Sequence, residues 1–158
     1  KYALTRKGEF ARHIYSNEII LTELFYSPIL EEFSDIELLT ILAAIVYESR
    51  PLDYFMIKGS EKTYHRILKR IKNTRIDKEL NKISLKRMIN FVNSWANGDS
   101  FTKLMTYSNL AEGDIIRFFR RLVDTLTQLA HATNDSIIKQ RLEKLITLID
   151  RDLVSSDL

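Results

Sequence analysis

Apolar residues return every three or four positions along most of this chain, the period of helices that bury one face. Thr5 can cap a helix opening at Arg6, with Phe10 and Ile14 in its first turns. Ile19, Ile20, Leu24 and Phe25 predict the next helix, which Pro28 disturbs or ends because it lacks a backbone N–H. Ser34-Asp35-Ile36-Glu37 reads as a capping box, in which the Ser hydroxyl and the Glu carboxylate each satisfy an unpaired backbone N–H. The run behind it, Leu38, Leu39, Ile41, Leu42, Ala43, Ala44, Ile45 and Val46, is apolar on nearly every side. It predicts a helix at the centre of the core, stopped by Arg50-Pro51.

Further along, Tyr64, Ile67, Leu68 and Ile71 form an apolar stripe with Lys62, Arg66, Lys69 and Arg70 around it. Ile76, Leu80 and Ile83 suggest continued helix, and Leu85, Met88, Val92 and Trp95 trace another stripe that stops at Asn97-Gly98 in a left-handed turn. Ser100 can cap a short helix holding Leu104 and Met105. A long helix opens near Glu112-Gly113-Asp114 and runs to about His131, and Asn134-Asp135-Ser136 caps a last one with Ile138, Leu142, Leu145 and Ile149 on one side. No internal repeat or low-complexity tract occurs. The pattern predicts an all-α fold, a bundle of about seven or eight helices, and 158 residues suffice for one domain spanning 1–158.

Composition narrows the function classes. Hydrophobic residues at 45% and charged residues at 28% match a folded globular chain, and only 4 Gly and 2 Pro leave few of the tight turns an all-β fold needs. With no Cys, disulfides and thiolate zinc sites are excluded, as fits an intracellular protein. His13, His65 and His131 lie far apart without ligand spacing, so no metal site is expected. No apolar run reaches the ~20 residues of a membrane span, and residues 1–8 lack the apolar core of a signal peptide. A net charge of +3 is too small to identify a polyanion partner, so the placement of the basic residues carries that question.

Placement matters most over 115–129. On a wheel of about 100° per residue, Ile115, Phe119, Leu122, Leu126 and Leu129 line one side, with Phe118 and Val123 widening it. Arg117, Arg121, Asp124 and Gln128 line the other at i, i+4, i+7 and i+11. Such a row either faces water, with an arginine pairing Asp124 one turn away, or borders a groove where guanidinium groups meet phosphates or stack on bases. A second basic stretch, 58–87, holds Lys58, Lys62, Arg66, Lys69, Arg70, Lys72, Arg75, Lys78, Lys82, Lys86 and Arg87 against few acids. It could follow a phosphate backbone, or it could be a solvated face whose long stems cover apolar surface.

The residues also resemble a family. Leu4-Thr5 with Gly8, Leu21-Thr22-Glu23-Leu24, Trp95 with Gly98 and Ser100-Phe101, Glu112-Gly113, Ile116-Arg117, Arg120-Arg121-Leu122, Leu148-Ile149 and Arg151-Asp152-Leu153-Val154 stand in order at matching spacing. Together they are similar to the DSHCT domain, the C-terminal helical bundle of exosome-associated DExH-box RNA helicases of the nuclear exosome-adaptor and superkiller types. The resemblance implies a bundle packed against two RecA-like motor domains and a winged helix around single-stranded RNA. The helix over 115–129 would be the ratchet-like helix beneath the RNA path. Positions equivalent to Arg121 and Asp124 would contact nucleotides, and the RNA-binding set expected here is Arg117, Arg120, Arg121, Asp124 and Gln128. The family more often carries a longer acid at the position of Asp124 and an acidic residue at that of Val123, and the connection over 53–60 follows it poorly.

The implied activity is that of an ATP-dependent superfamily 2 RNA helicase threading RNA 3'-5' toward the exosome, with this chain as its C-terminal fragment. ATP and Mg would belong to the parent's motor domains. No GxxxxGK[ST] loop or DExH box is present, and no convincing nucleophile, base and orienter set occurs, so no enzyme activity is expected of these residues alone. Expected partners are single-stranded RNA, the RecA-like and winged-helix domains, the exosome and its adaptors, with no membrane. Nuclear placement is favoured by 113–122, with cytoplasmic placement the alternative. Two competing readings remain at this point: a helix-turn-helix DNA-binding module built from the short helix after Ser100 and the one after Glu112, and a pure protein-interaction bundle.

Overall fold

A computed structural model describes residues 5–12, 14 and 17–155; Tyr2-Ala3-Leu4 and His13 lie outside them. Among the described residues there are nine α-helices and two 3-10 turns, with no strand. The helices are α1 (Arg6–Arg12), α2 (Glu18–Phe25), α3 (Asp35–Val46), α4 (Glu61–Ile71), α5 (Arg75–Glu79), α6 (Lys82–Ala96), α7 (Phe101–Met105), α8 (Glu112–Ala132) and α9 (Ser136–Ile149). The 3-10 turns are Pro28–Glu32 and Asp152–Val154.

The predicted caps form. Gly8 donates to Thr5 Oγ1 at 3.0 Å, and Ser34 and Glu37 exchange hydrogen bonds of 3.1 and 2.9 Å as a capping box. Lys103 donates to Ser100 Oγ at 3.1 Å, and Asp135 Oδ1 accepts from both Ile137 and Ile138. Gly98 sits at φ 90°, so the left-handed stop of α6 takes a backbone that L side chains resist. Helix α3, apolar all round, packs along α6 and touches α8 and α9, while α8 and α9 form the second close pair. The core continues through Phe91, Trp95, Phe118 and Phe119, whose rings lie 5.0–6.1 Å apart.

Four boundaries differ from the sequence pattern. Helix α3 ends at Val46, ahead of Arg50-Pro51, because Tyr47 turns extended, bonds Asp53 through its hydroxyl and sets its ring edge-on to Phe55 and Phe118. In α2 the buried residues are Leu21, Thr22, Leu24 and Phe25, while Ile19 is exposed. What looked like continued helix after Ile71 is broken by Lys72 and Thr74 and again by Leu80 and Asn81, leaving Ile83 exposed. Ile14 is buried but lies beyond the end of α1.

The connection over 53–60 is pinned rather than loose. Tyr54 N–H donates to Asn109 Oδ1 at 2.8 Å, the Asn109 amide donates to Leu52 O at 2.8 Å, and Phe55 bridges antiparallel to Ser108. Asn90 donates to the carbonyls of Met56 and Lys58. The far end of the chain is clasped as well. Arg151 lies 3.5 Å over the Trp95 ring and donates to the carbonyls of Trp95 and Asp99, while Trp95 Nε1 donates to Ile149 O at 2.8 Å.

Candidate nucleic-acid interface

Helix α8 has 21 residues, about 30 Å at 1.5 Å per residue, and its two sides are chemically opposite. Ile115, Phe119, Leu122, Leu126 and Leu129 are fully buried against the rest of the bundle. Phe119 stacks on Phe91 at 5.4 Å and Phe118 meets Tyr47 at 6.1 Å, so the rotation of α8 about its axis is fixed by large rings. That rotation decides what faces out. Acidic Glu112 and Asp114 in the first turn suit the positive end of the helix dipole.

On the outer face Asp114 takes Arg117 one turn on and Arg50 from the segment after α3, the latter at 3.1 Å. The guanidinium groups of Arg117 and Arg50 hold the Asp114 carboxyl below the usual carboxylate range. Arg50 also pairs with Asp53 at 3.3 Å, and Asp53 accepts the Tyr47 hydroxyl, whose burial and acidic neighbour push its pKa up. Arg121 meets Glu48 at 3.4 Å. These residues rim a depression of about 140 Å³ floored by Leu110 and Phe118. The guanidinium groups remain open to solvent: the Arg117 side chain is 70% exposed and that of Arg121 47%, while of their acidic partners Glu48, beside Arg121, is 82% exposed and Asp114, beside Arg117, 27%. Asp124, one turn further, is exposed and makes no hydrogen bond or ion pair with the described residues. Two fork-shaped cations followed by an open carboxylate can grip phosphate oxygens and accept from a hydroxyl or amino group.

Residues 1–156 match the DSHCT (NUC185) domain family. The chain belongs to that family. It is 24% identical to the ATP-dependent RNA helicase mtr4 of Schizosaccharomyces pombe over 95% of this chain and 15% of that protein. Against the mouse Exosome RNA helicase MTR4 the figures are 28%, 94% and 16%, and against the Antiviral helicase SKI2 of Saccharomyces cerevisiae 29%, 94% and 13%. The chain thus spans about 15% of the length of the curated relatives it matches.

Within this DSHCT domain the residues singled out from sequence part into two groups. Arg117, Arg121 and Asp124 share the outer face of α8, and Gln128 follows on that face, half-buried. Arg120 lies about 100° round the helix from Arg121 and donates Nε to Val154 O at 3.1 Å, tying α8 to the Asp152–Val154 turn. Sequence reasoning missed Glu48, Arg50, Asp53 and the double use of Asp114. Arg50 and Asp114 stand 64 positions apart, and nothing in local spacing signals their pairing. Among the described residues no group of three His, Cys, Asp or Glu is placed to hold a metal ion, and no helix is long and apolar enough to cross a membrane.

Proposed function

We propose that this domain guides single-stranded RNA in an ATP-dependent superfamily 2 helicase that threads its substrate 3'-5' toward the exosome. The single observation that carries the reading is a row of solvent-open Arg117, Arg121 and Asp124 on a helix whose opposite side is fully buried. A rigid helix with an open polar row is a fixed rail, so a strand passing over it meets charges whose positions do not relax away. Arg117 and Arg121 would take phosphates or stack on bases, and Asp124 would accept from a ribose hydroxyl. Glu48 and Asp114 hold the two guanidinium groups outward until phosphate replaces them. Arg120 and Gln128 flank the row as secondary members. The similarity to helicases named for RNA and the exosome supports the same reading. ATP and Mg would be bound by RecA-like motor domains elsewhere in the parent protein, which with a winged helix, the exosome and its adaptors would be the partners. A nuclear helicase is favoured over a cytoplasmic one.

A helix-turn-helix reading fares worse. A recognition helix offers its first turns to the major groove, whereas Ile115, Phe118 and Phe119 in those turns of α8 are buried. Replacing Arg121 by Ala in the full-length protein tests the proposal. RNA affinity is expected to fall about three- to tenfold and its salt slope by about 0.7, the share of one phosphate contact on a single strand. The thermal midpoint should barely move, because an exposed side chain off the core is being cut. Unchanged affinity and slope would remove the RNA role of α8.

A further inference from the structure

The two arginines of the α8 row face acids of different kinds. Arg121 meets Glu48, whose side chain stands almost wholly in water and can swing aside when a ligand takes its place. Arg117 meets Asp114, largely covered and one turn back on the same helix. A Cβ added at Gly113 would lie 3.4 Å from Arg117 Nη1, so the guanidinium lies back over the bare first turn of α8, against that acid. A short carboxylate so placed has little room to move away. A phosphate that drew Arg117 off would leave Asp114 facing a second negative charge at close range, and like charges at that distance repel.

Arg50 removes this obstacle. It comes from the segment after α3, 64 positions from Asp114 in sequence, and donates Nη2 to Asp114 Oδ2 at 3.1 Å while Arg117 takes Oδ1. The two arginines therefore use different oxygens of one carboxylate. Arg50 Nε also reaches Asp53 Oδ1 at 3.3 Å, and the buried Asp53 side chain is held by the Tyr47 hydroxyl. Asp53, Arg50, Asp114 and Arg117 thus make a line of alternating charge, fixed at its buried end and finishing in a solvent-open guanidinium. All four residues lie on the rim of the depression floored by Leu110 and Phe118. Without Arg50, both Asp114 oxygens fall to Arg117, whose planar fork matches a carboxylate in bidentate fashion.

We propose that Arg50 is a positioning residue for RNA binding: by matching the charge of Asp114 from the segment after α3, it leaves Arg117 free to exchange that carboxylate for a phosphate. The inference rests on the RNA reading of α8 and deepens it with a residue outside that helix. Its effect is carried by Arg117, not by contact of Arg50 with the strand.

The test is a double-mutant cycle in the full-length protein, with an oligouridylate of about ten nucleotides as probe and affinities read across salt concentrations. Arg50→Ala is expected to weaken binding about threefold and to lower the salt slope by up to about 0.7, the share of one phosphate contact. In an Arg117→Ala background the same change should do nothing further. Arg50→Lys, which keeps a cation beside Asp114, should bind as the parent does. Asp114→Asn added to Arg50→Ala should restore affinity, whereas Asp53→Asn, an equal change in net charge, should not. Unchanged binding by Arg50→Ala, an equal loss with and without Arg117, or equal rescue by the two Asn changes would each overturn the proposal. So would a lowered thermal midpoint with no rescue by Asp114→Asn, since removing a charge cannot rebuild a tie that served only the fold. If Arg117→Ala itself leaves RNA affinity unchanged, the α8 reading of that arginine fails, and the role of Arg50 goes with it.

Discussion

Helix α3 has a cluster of arginine and carboxylate at each end, separated by on the order of 15 Å, and the two clusters do opposite things. At the start, Glu37 is 3% exposed, and its two oxygens serve Ser34 N–H, Arg66 and Arg70 at once. Burial alone would raise its pKa; the Arg66 and Ser34 hydrogen bonds and the Arg70 charge outweigh that and hold it below the ordinary value. Beyond the other end, Glu48 and Arg121 touch at 3.4 Å but both remain largely in water. The residue types match. What differs is the burial of the acid: a buried carboxylate commits its arginines to the fold, whereas an exposed one leaves them available to a ligand.

The sharpest way to break this contrast is to cut the buried side of the helix that carries the open row. Phe119→Ala removes a fully buried ring stacked on Phe91 and should destabilise the domain by about 3–5 kcal/mol. Chemical denaturation would show it as a lower midpoint with unchanged slope. A midpoint within error of wild type would mean α8 is not anchored by that face, and the row above it would not be a fixed rail.

Next in size comes the committed cluster itself. Changing Arg66 and Arg70 together to Ala leaves the Glu37 carboxylate buried without a cation. The expected loss is about 2–4 kcal/mol, discounted because the Arg66 side chain is 50% exposed. The corresponding cut at the open end, Arg121→Ala, should cost under about 0.5 kcal/mol. Equal losses at the two ends would erase the distinction between structural and available arginines.

Much of this layout is visible in the sequence because it depends on period and capping. The α8 wheel separates Ile115, Phe119 and Leu122 from Arg117, Arg121 and Asp124 without any tertiary information, since the apolar arc alone sets which side turns inward. The Ser34 and Glu37 box is likewise local. The two arginine partners of Glu37 are not local: the capping pattern already accounts for a glutamate at this position, and nothing at positions 34–37 announces Arg66 or Arg70, 29 and 33 residues on. For the same reason the basic stretch over 58–87 could not be divided into committed and free charges. Pro51 is a strong breaker and draws the expected end of α3 to Arg50, yet Tyr47 leaves the helix earlier to reach Asp53 and two aromatic rings.

A smaller effect tests the committed end by pH. Because the folded-state pKa of Glu37 lies below its ordinary 4.5, its contribution is complete above that value and is lost as pH falls through the lowered folded pKa. Glu37→Gln keeps the capping-box acceptor but not the charge. The stability gap between wild type and this variant should be constant near neutrality and close below about pH 4.5, as followed by denaturation at a series of pH values. A gap that persists in strong acid would assign the effect to packing rather than to charge.

The smallest expected change concerns the open end. If Glu48 holds Arg121 outward only until phosphate arrives, it competes with RNA for the same guanidinium, and an exposed pair of this kind is worth at most about 1 kcal/mol. Glu48→Gln should therefore leave the thermal midpoint alone and tighten RNA binding about two- to threefold at low salt, with the gain shrinking as salt screens the pair. The gain should vanish in an Arg121→Ala background, since the competition has then lost its object. If Glu48→Gln weakens binding instead, Glu48 positions Arg121 for RNA rather than competing for it, and the two ends of α3 would be more alike than their exposure suggests.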